Sequence, residues 1–353
     1  MRLATPLDRW TALFLATLGC APVVGCGGRE TQSEDTDGGA GGSGGDGGSG
    51  GSDAGTGTGG TGTAGKGGGI STGGGPPPPQ PGRPFLIEGT ARQATACANE
   101  EWQIANTALP TEHLDAAQRR RLAHAWTQAA LLEHGSIAAF ARFTLQLLAL
   151  GAPASLIEAA NAAIADETTH ARLAFSMASA YAGRPVGPGA LSIEGALEAS
   201  SLRDVVVAAI REGCLGETVS AVQAAEVRQY VTEPALCAVL TTIADDETRH
   251  AQLSWRFVQW ALERGDEELV QVARDEFARL RADVDPVPLP ALDADELALL
   301  AGGAMPERLG AHIRRECVKH IIVPCAAALL ARRSPHAAPR AREETSAPPL
   351  ASR

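Results

Sequence analysis

One eight-residue frame occurs twice in this chain, as DETTHARL and again as DETRHAQL. Each copy places a glutamate three residues before a histidine, and the two pairs are Glu167 with His170 and Glu247 with His250. Residues i and i+3 project from the same face of a helix, so each copy presents a carboxylate beside an imidazole. The repeat therefore requires two long helices, and this requirement constrains the fold more than any other feature.

Four long helical segments contain or flank the two copies. Apolar periodicity and helix-stop residues predict helices over 115–150, 155–183, 201–231 and 234–265. A few residues join the first helix to the second and the third to the fourth, so each of these pairs forms an antiparallel hairpin. About eighteen residues rich in Gly and Pro separate the hairpins, which is enough to cross the length of a bundle. We expect an all-α four-helix bundle of two antiparallel hairpins joined by a long crossover.

A glutamate in an apolar stretch of the upstream helix accompanies each Glu-x-x-His pair. Glu133 lies 34 residues before Glu167, and Glu217 lies 30 residues before Glu247. Folding each hairpin at its short turn brings the upstream glutamate level with the pair, so four carboxylates and two imidazoles converge at mid-bundle. Buried unpaired carboxylates are costly, so cations must lie among them. Two iron ions, or manganese ions, suit this ligand set better than zinc or calcium.

The order of these residues resembles the di-iron carboxylate motif of the ferritin-like superfamily, which includes rubrerythrin, bacterioferritin and the small chains of ribonucleotide reductase. The resemblance covers about residues 115–263. It implies a ferritin-like fold and two iron ions, with manganese as the alternative. The ligands that it implies are Glu133, Glu167, His170, Glu217, Glu247 and His250.

The same resemblance assigns a role to the aspartate that precedes each Glu-x-x-His pair. In these families that aspartate commonly hydrogen-bonds the histidine of the opposite pair. By the resemblance, Asp166 would orient His250, and Asp246 would orient His170. Such a bond fixes which ring nitrogen faces the metal.

Three further residues lie near the motif in the sequence. Glu212 and Glu226 are alternative ligands from the third helix. Glu212 precedes Glu217 by five residues, about 140° around an α-helix, so we expect a solvated charge or one that only supports the ligands. Phe140 follows Glu133 by two turns and stands where some ferritin-like sites keep a tyrosine, which argues against radical chemistry.

The N-terminus has the pattern of an export signal. Trp10 to Val24 carries no charge, and this run is too short to span a bilayer but suits the core of a signal peptide. The core ends in VVGC, which resembles the lipobox of bacterial lipoproteins, with Cys26 as the lipidated residue. TLGC, ending at Cys20, is a weaker alternative, and an ordinary cleaved signal peptide is another. We interpret residues 1–25 as a lipoprotein-type signal peptide and expect a lipid-anchored protein of the bacterial cell envelope, at the outer membrane.

Composition separates the foldable part of the chain from its flanks. Residues 38–75 hold 22 of the 40 glycines and almost nothing to bury, which predicts a disordered Gly/Ser/Pro-rich tether. The other boundaries follow from the same reasoning. They are a tether over 26–84, a pre-bundle segment over 85–114, the bundle over 115–265, accessory helices over 266–333 and a disordered tail over 334–353.

Two finer expectations concern the regions outside the bundle. The last accessory helix should be interrupted at Pro324, because proline cannot continue a helical hydrogen-bond ladder. Any disulfide should join Cys97 to Cys317 or Cys325, since these three cysteines lie in the flanking layers and export leads to an oxidising compartment.

Charge and ligand chemistry together limit the function. The net charge is −11 with no basic cluster, which excludes nucleic acid as a partner. We expect oxidation of Fe²⁺ with O₂ or H₂O₂, with an unknown electron donor, membrane contact through the lipid anchor, and a homodimer left open. Two alternatives remain. One is a di-iron oxygenase with an organic substrate, which would need a pocket onto the metals, and the other is a non-catalytic metal-sequestering envelope protein.

Overall fold

Long helices form around both copies of the repeated frame, as the sequence predicts. The computed structural model describes residues 3, 6–20, 82–104, 109–198, 200–282 and 288–332. The described helices are α1 (Asp8–Thr17), α2 (Ala116–Ala149), α3 (Ala154–Ala182), α4 (Leu202–Ala208), a π-helix (Ala209–Glu217), α5 (Thr218–Val227), a 3₁₀ turn (Arg228–Tyr230), α6 (Pro234–Arg264), α7 (Glu267–Ala282), α8 (Ala294–Ala301), α9 (Glu307–Cys317), a second π-helix (Val318–Ile322) and α10 (Val323–Ala331). Helix thus dominates the described part of the chain.

Local chemistry explains most of the helix ends. The Asp115 side chain accepts hydrogen bonds from the first turn of α2, and Gly183 ends α3 in the left-handed conformation that glycine adopts without strain. The Ser201 side chain caps α4. The second helix was predicted from residue 155, but α3 starts one residue earlier, at Ala154 behind Pro153. Pro153 already has the extended backbone of a cap residue, so Ser155 lies inside the first turn.

The helices pack as two hairpins in contact with each other. A short connection joins α2 to α3, which pack together. A second hairpin pairs α6 with the π-helix Ala209–Glu217 and α5, and α3 packs against α6 between the hairpins. Large side chains fill the space between them, among them Phe143, Phe175, Trp255 and Phe257. Both copies of the repeated frame, on α3 and α6, therefore face the same interior.

The third long helix departs from the prediction, since it is not α-helical throughout. Its centre is the nine-residue π-helix Ala209–Glu217, followed by α5. A π-helix is bonded from residue i to i+5 and has a wider turn than an α-helix, and such turns are frequent at functional sites. Residues five apart on it lie about one turn from each other, which changes the expected position of Glu212 relative to Glu217.

The pre-bundle segment forms two small antiparallel strand pairs that the sequence did not predict. β1 (Leu86–Ile87) pairs with β2 (Thr90–Ala91). β3 (Ala96–Cys97) pairs with β4 (Gly187–Pro188), which lies in the connection between the hairpins. This pairing fixes the pre-bundle segment to the crossover, and it holds the residues before β1 against the bundle.

The N-terminal helix α1 lies against the C-terminal helices. Trp10 and Phe14 are buried there, and the Thr11 hydroxyl donates a hydrogen bond to the carbonyl of His320. No helix that the structure describes is long and apolar enough to cross a membrane. The predicted lipidation at Cys26, the predicted tether and the predicted tail over 334–353 lie outside the described residues, apart from the last residues of the tether.

The α-helical hydrogen bonding of the last helix is interrupted next to Pro324, although its path continues: α9 ends at Cys317, the π-helix Val318–Ile322 follows, and Pro324 is the second residue of α10. Another expectation for the flanking regions is wrong. The predicted disulfide is absent from the described residues: Cys97 is exposed on β3, and Cys317 and Cys325 are buried in helices as free thiols. Cys97 lies at the surface, whereas its two proposed partners lie inside the core.

Candidate metal centre

The structure brings the six predicted ligand residues together in two overlapping groups. The Glu133 subsite contains Glu133, Glu167, His170 and Glu247, and the Glu217 subsite contains Glu167, Glu217, Glu247 and His250. Within each group, one possible ligand atom from every residue lies within 4.8 Å of all the others. Glu167 and Glu247 belong to both subsites, so the repeated frame supplies the two shared carboxylates as well as one histidine to each side.

The atoms that face this interior lack partners in the protein. The Oε2 atoms of Glu167, Glu217 and Glu247 are buried with no hydrogen-bond partner. The Nδ1 atoms of His170 and His250 are in the same condition, and their closest carboxylate oxygens lie 3.4 Å and 3.2 Å away. A single buried unsatisfied polar group costs about 1–3 kcal/mol. Five such atoms directed at one place therefore fit a pair of divalent cations.

Each of the two histidines contacts an aspartate through Nε2, the ring nitrogen that does not face the glutamates. His170 Nε2 lies 3.0 Å from Asp246 Oδ2, and His250 Nε2 lies 3.3 Å from Asp166 Oδ2. Each aspartate thus contacts the histidine of the other helix, in the crosswise arrangement that the resemblance implied. With Nε2 donating to a carboxylate, Nδ1 is the nitrogen that faces the glutamates and is free to bind a cation.

Arg249 connects the two aspartates. Its Nη2 atom donates to Asp166 at 3.2 Å and also to Asp246. The first copy of the frame has Thr169 at the corresponding position, so only one of the two copies supplies this link. One guanidinium therefore fixes the supports of both histidines.

Burial and mutual repulsion govern the protonation of the carboxylates. Burial raises the pKa of Glu167 well above its usual value, and the neighbouring charges of Glu247 and Glu133 raise it further. Burial and the nearby Glu247 likewise raise the pKa of Glu217. Burial alone would raise the pKa of Glu247 too, but the two nearby imidazoles lower it. In the protein alone, protons thus compensate part of the negative charge that cations would neutralise.

Burial acts on the two histidines with the opposite sign, but the neighbouring carboxylates outweigh it. Burial alone would lower the pKa of His170, but the hydrogen bond to Asp246 and the proximity of the facing glutamates raise it well above its usual value. The pKa of His250 is raised in the same way by Asp166 and Glu167. Imidazolium groups therefore form part of the positive charge among the carboxylates when no metal competes for Nδ1.

A buried arginine that the sequence did not single out lies beside the Glu217 subsite. Arg83 Nε lies 3.4 Å from Glu217 Oε1, and its Nη2 donates to the Ser254 hydroxyl at 2.7 Å. The guanidinium carbon lies 4.5 Å from the ring centre of Phe140 and 4.6 Å from that of Phe143. Arg83 precedes the predicted bundle by some thirty positions, and no spacing relation connects it to the motif.

Two glycines of the π-helix allow the chain around Arg83 to approach so closely. We call residues 82–85 the strap. A Cβ atom at Gly216 would lie 2.2 Å from the carbonyl oxygen of Gly82, and one at Gly213 would lie 2.6 Å from Arg83 Nη2. The Gly82 amide also donates to the Gly216 carbonyl at 3.1 Å. The strap thus lies directly on the π-helix, and a larger residue at position 216 would displace it, whereas a Cβ atom at position 213 would first meet the Ser254 hydroxyl at 2.0 Å.

The two other glutamates of the third helix lie outside both subsites. Glu212 and Glu226 are both buried. Of the two expectations for Glu212, the solvated charge is wrong, because its side chain is buried, and a charge beside the proposed ligands is the one that agrees with the structure. Burial raises the pKa of Glu212, and the positive charges of Arg83 and Arg142 oppose that rise. Glu212 therefore belongs to a charged cluster next to the ligands rather than to the ligand set.

A cavity of about 340 Å³ reaches the centre at His250. It is lined by Thr17, Ala159, Ala162, Asp166, Arg249, His250, Gln252 and Arg256. This lining includes one predicted ligand and its supporting aspartate but none of the four glutamates. The cavity therefore contacts the centre through His250 and Asp166 and not through the four glutamates.

Comparison with known proteins yields no relative. No protein family, curated protein or solved structure matches this chain. A function must therefore be inferred from the geometry of the centre and from the chemistry of its side chains.

Proposed function

We propose that this chain is a ferritin-like di-iron protein that oxidises Fe²⁺ with O₂ or H₂O₂. The observation that carries this proposal is the overlap of two four-residue groups through Glu167 and Glu247, whose unpaired atoms face one interior. A group of four carboxylates and two imidazoles suits iron or manganese. The two hairpins, and the long connection between α3 and α4, support a ferritin-like four-helix bundle as the fold.

Each ligand residue has a distinct task in this proposal. Glu133 and His170 would hold one ion, Glu217 and His250 would hold the other, and Glu167 and Glu247 would contact both. Bound iron would supply the electrons: two Fe²⁺ and two protons would convert H₂O₂ to two waters, or O₂ to H₂O₂, and two Fe³⁺ would remain. The chain itself keeps both Nδ1 atoms available, because Asp246 and Asp166 hold the opposite ring nitrogens.

Access to the centre favours a small oxidant over an organic substrate. The Glu133 side chain is 17% exposed, whereas that of Glu217 is fully buried, so the centre is closer to solvent on the Glu133 side. On the Glu217 side, Arg83 and two phenylalanines occupy the space against the ligand. The described cavity touches His250 but no glutamate. An oxygenase would need a pocket onto the carboxylates, and the proposal of a small oxidant does not.

The location proposed for this activity is the bacterial cell envelope. The support comes from the sequence, in the uncharged run over 10–24 and the lipobox-like VVGC that ends at Cys26. Cleavage before Cys26 would remove α1, together with Thr17 at the wall of the cavity. All six proposed ligands follow the cleavage point, so the mature chain would keep the complete centre.

Iron loading followed by exposure to an oxidant tests the proposed activity. Purified protein is loaded with Fe²⁺ without oxygen, and its iron content is measured after removal of excess metal. O₂ or H₂O₂ is then added, and the remaining Fe²⁺ is determined with a ferrous chelator. We expect two irons per chain and oxidation faster than that of the same Fe²⁺ with a Glu167→Gln, Glu247→Gln double variant. Two bound irons that stay ferrous through minutes of exposure to both oxidants would leave metal sequestration as the function.

A further inference from the structure

The repeated frame makes the two subsites nearly equivalent in ligands, but their surroundings differ in charge. Each subsite has the same two shared carboxylates, one further glutamate and one histidine. Beside Glu217 stands the guanidinium of Arg83, 97% shielded from solvent and in ion-pair distance of the carboxylate. Among the residues that the structure describes, the ion pairs of Glu133 include only His170 and no arginine or lysine.

Nearby charges compensate Arg83 only in part. Glu212 is the acidic neighbour of Arg83 outside the ligand set, and Arg142 is a second cation within range of both. The excess is therefore positive on the Glu217 side. Charges in a buried site interact more strongly than charges in water, because little solvent screens them.

Arg83 cannot easily withdraw from this position. Its guanidinium lies over Phe140 and Phe143 and donates to Ser254, while its own carbonyl accepts a hydrogen bond from the Ser136 hydroxyl at 2.9 Å. The adjacent Gly82 is bonded to the π-helix. These contacts come from several helices, so the positive charge is a fixed part of the site.

We propose that Arg83 is a positioning residue that lowers the affinity of the Glu217 subsite for a divalent cation, so that the Glu133 subsite fills first and the Glu217 subsite second. This inference rests on the proposed function, since it presumes that both subsites bind metal. The physical cause is twofold. A fixed cation repels an incoming dication, and its contact with Glu217 Oε1 leaves that carboxylate only Oε2 to offer. Within the part of the chain that the structure describes, no arginine or lysine forms an ion pair with Glu133.

Titration of the full chain with Mn²⁺ tests the order of filling, with the electron paramagnetic resonance signal of free Mn²⁺ as the readout. In the wild-type protein we expect two bound Mn²⁺ ions whose affinities differ by at least about tenfold. Glu133→Ala should remove the tighter step, and Glu217→Ala should remove the weaker one. These two variants assign each step to its subsite.

Three substitutions then test the charge of residue 83. Arg83→Met removes the charge but keeps an apolar chain against the two phenylalanines, and it should strengthen the second step by about tenfold or more. Arg83→Lys keeps the charge, so the difference in Mn²⁺ affinity between the two steps should remain. Arg142→Met removes the second cation, which contacts no proposed ligand, and it should reduce the difference in affinity between the two steps less than Arg83→Met does. If circular dichroism shows that Arg83→Met does not fold, Arg83→Gln replaces it.

The outcomes separate this inference from the proposed function. Two ions of equal affinity in the wild-type protein, or a second step that Arg83→Met leaves unchanged or weakens, would overturn the role of Arg83 while the two-metal centre stands. A wild-type protein that binds neither Mn²⁺ nor Fe²⁺ would overturn the proposed function itself. A second step that is weak in the wild-type and Arg83→Lys proteins and tight in Arg83→Met would support the inference.

Discussion

Replacing Gly216 with alanine should destabilise the protein, because it forces the strap off the π-helix. The new Cβ atom would lie 2.2 Å from the Gly82 carbonyl oxygen, and the obstacle is backbone rather than a flexible side chain. The two atoms must separate to at least 3.0 Å, the lower limit for such contacts. That shift breaks the hydrogen bond between the Gly82 amide and the Gly216 carbonyl.

The expected magnitude follows from three contributions. Overpacking costs about 1–3 kcal/mol, and loss of the hydrogen bond costs about 1 kcal/mol. Alanine offsets about 0.5–1 kcal/mol of this, because it is a better helix former than glycine. The free energy of unfolding should therefore fall by about 2 kcal/mol, which for a folded part of this size lowers Tm by about 4–8 °C.

Gly135→Ala is the matched control, since Gly135 also faces the pre-bundle segment from within a helix. A Cβ atom there would meet the Arg92 carbonyl at 3.5 Å and Phe85 at 3.8 Å, which are ordinary contacts. This variant should be more stable than the wild type by about 0.5–1 kcal/mol. Urea unfolding in the presence of a chelator gives the free energy of unfolding of both variants without a contribution from metal binding. A Gly216→Ala protein as stable as Gly135→Ala would refute the docking of the strap on the π-helix.

Three further predictions concern the metals, the histidine supports and the anchor. The Glu167→Ala, Glu247→Ala double variant should lose both ions and Glu133→Ala only one, as measured by elemental analysis; full loading of the double variant would contradict the shared carboxylates. Asp166→Asn should keep the fold and most of the metal but slow Fe²⁺ oxidation by about 10–100-fold, because His250 loses the carboxylate that fixes its ring. An unchanged oxidation rate would contradict a role of Asp166 in orienting His250. Cys26→Ala should release the protein from the membrane fraction, and a variant that stays there would refute lipidation at this residue.

The helix ends, and the level of each proposed ligand along its hairpin, were predictable because residues close in sequence determine them. The helix stops after Leu150 and at Gly183, together with the proline at the start of α6, mark turns that sequence alone reveals. Once the turns are known, the distance along each hairpin places Glu133 level with Glu167. The same reasoning places Glu217 level with Glu247, and the structure brings all four carboxylates together.

The π-helix and the strap could not be predicted in this way. The apolar pattern of the third helix has the ordinary helical period, and that pattern does not reveal a change from i+4 to i+5 hydrogen bonding. The assumed α-helical angle therefore allowed a solvated Glu212, whereas its side chain is buried. Arg83 contacts Glu217 across 134 positions of the chain, and a single arginine carries no periodicity that would indicate its partner. Pairs of glycines in a helix were the only local sign that another segment lies against it.

The position of Arg83 has a consequence for protein engineering. The feature that distinguishes the two subsites comes from the strap, which precedes both hairpins, and not from any of the six ligand residues. A single codon outside the repeat can therefore be varied to adjust one metal position while the ligands of both remain unaltered. Libraries at residue 83, with Gly213 and Gly216 kept constant so that the strap still fits, would provide variants for mixed-metal loading, in which different ions occupy the two positions of one chain.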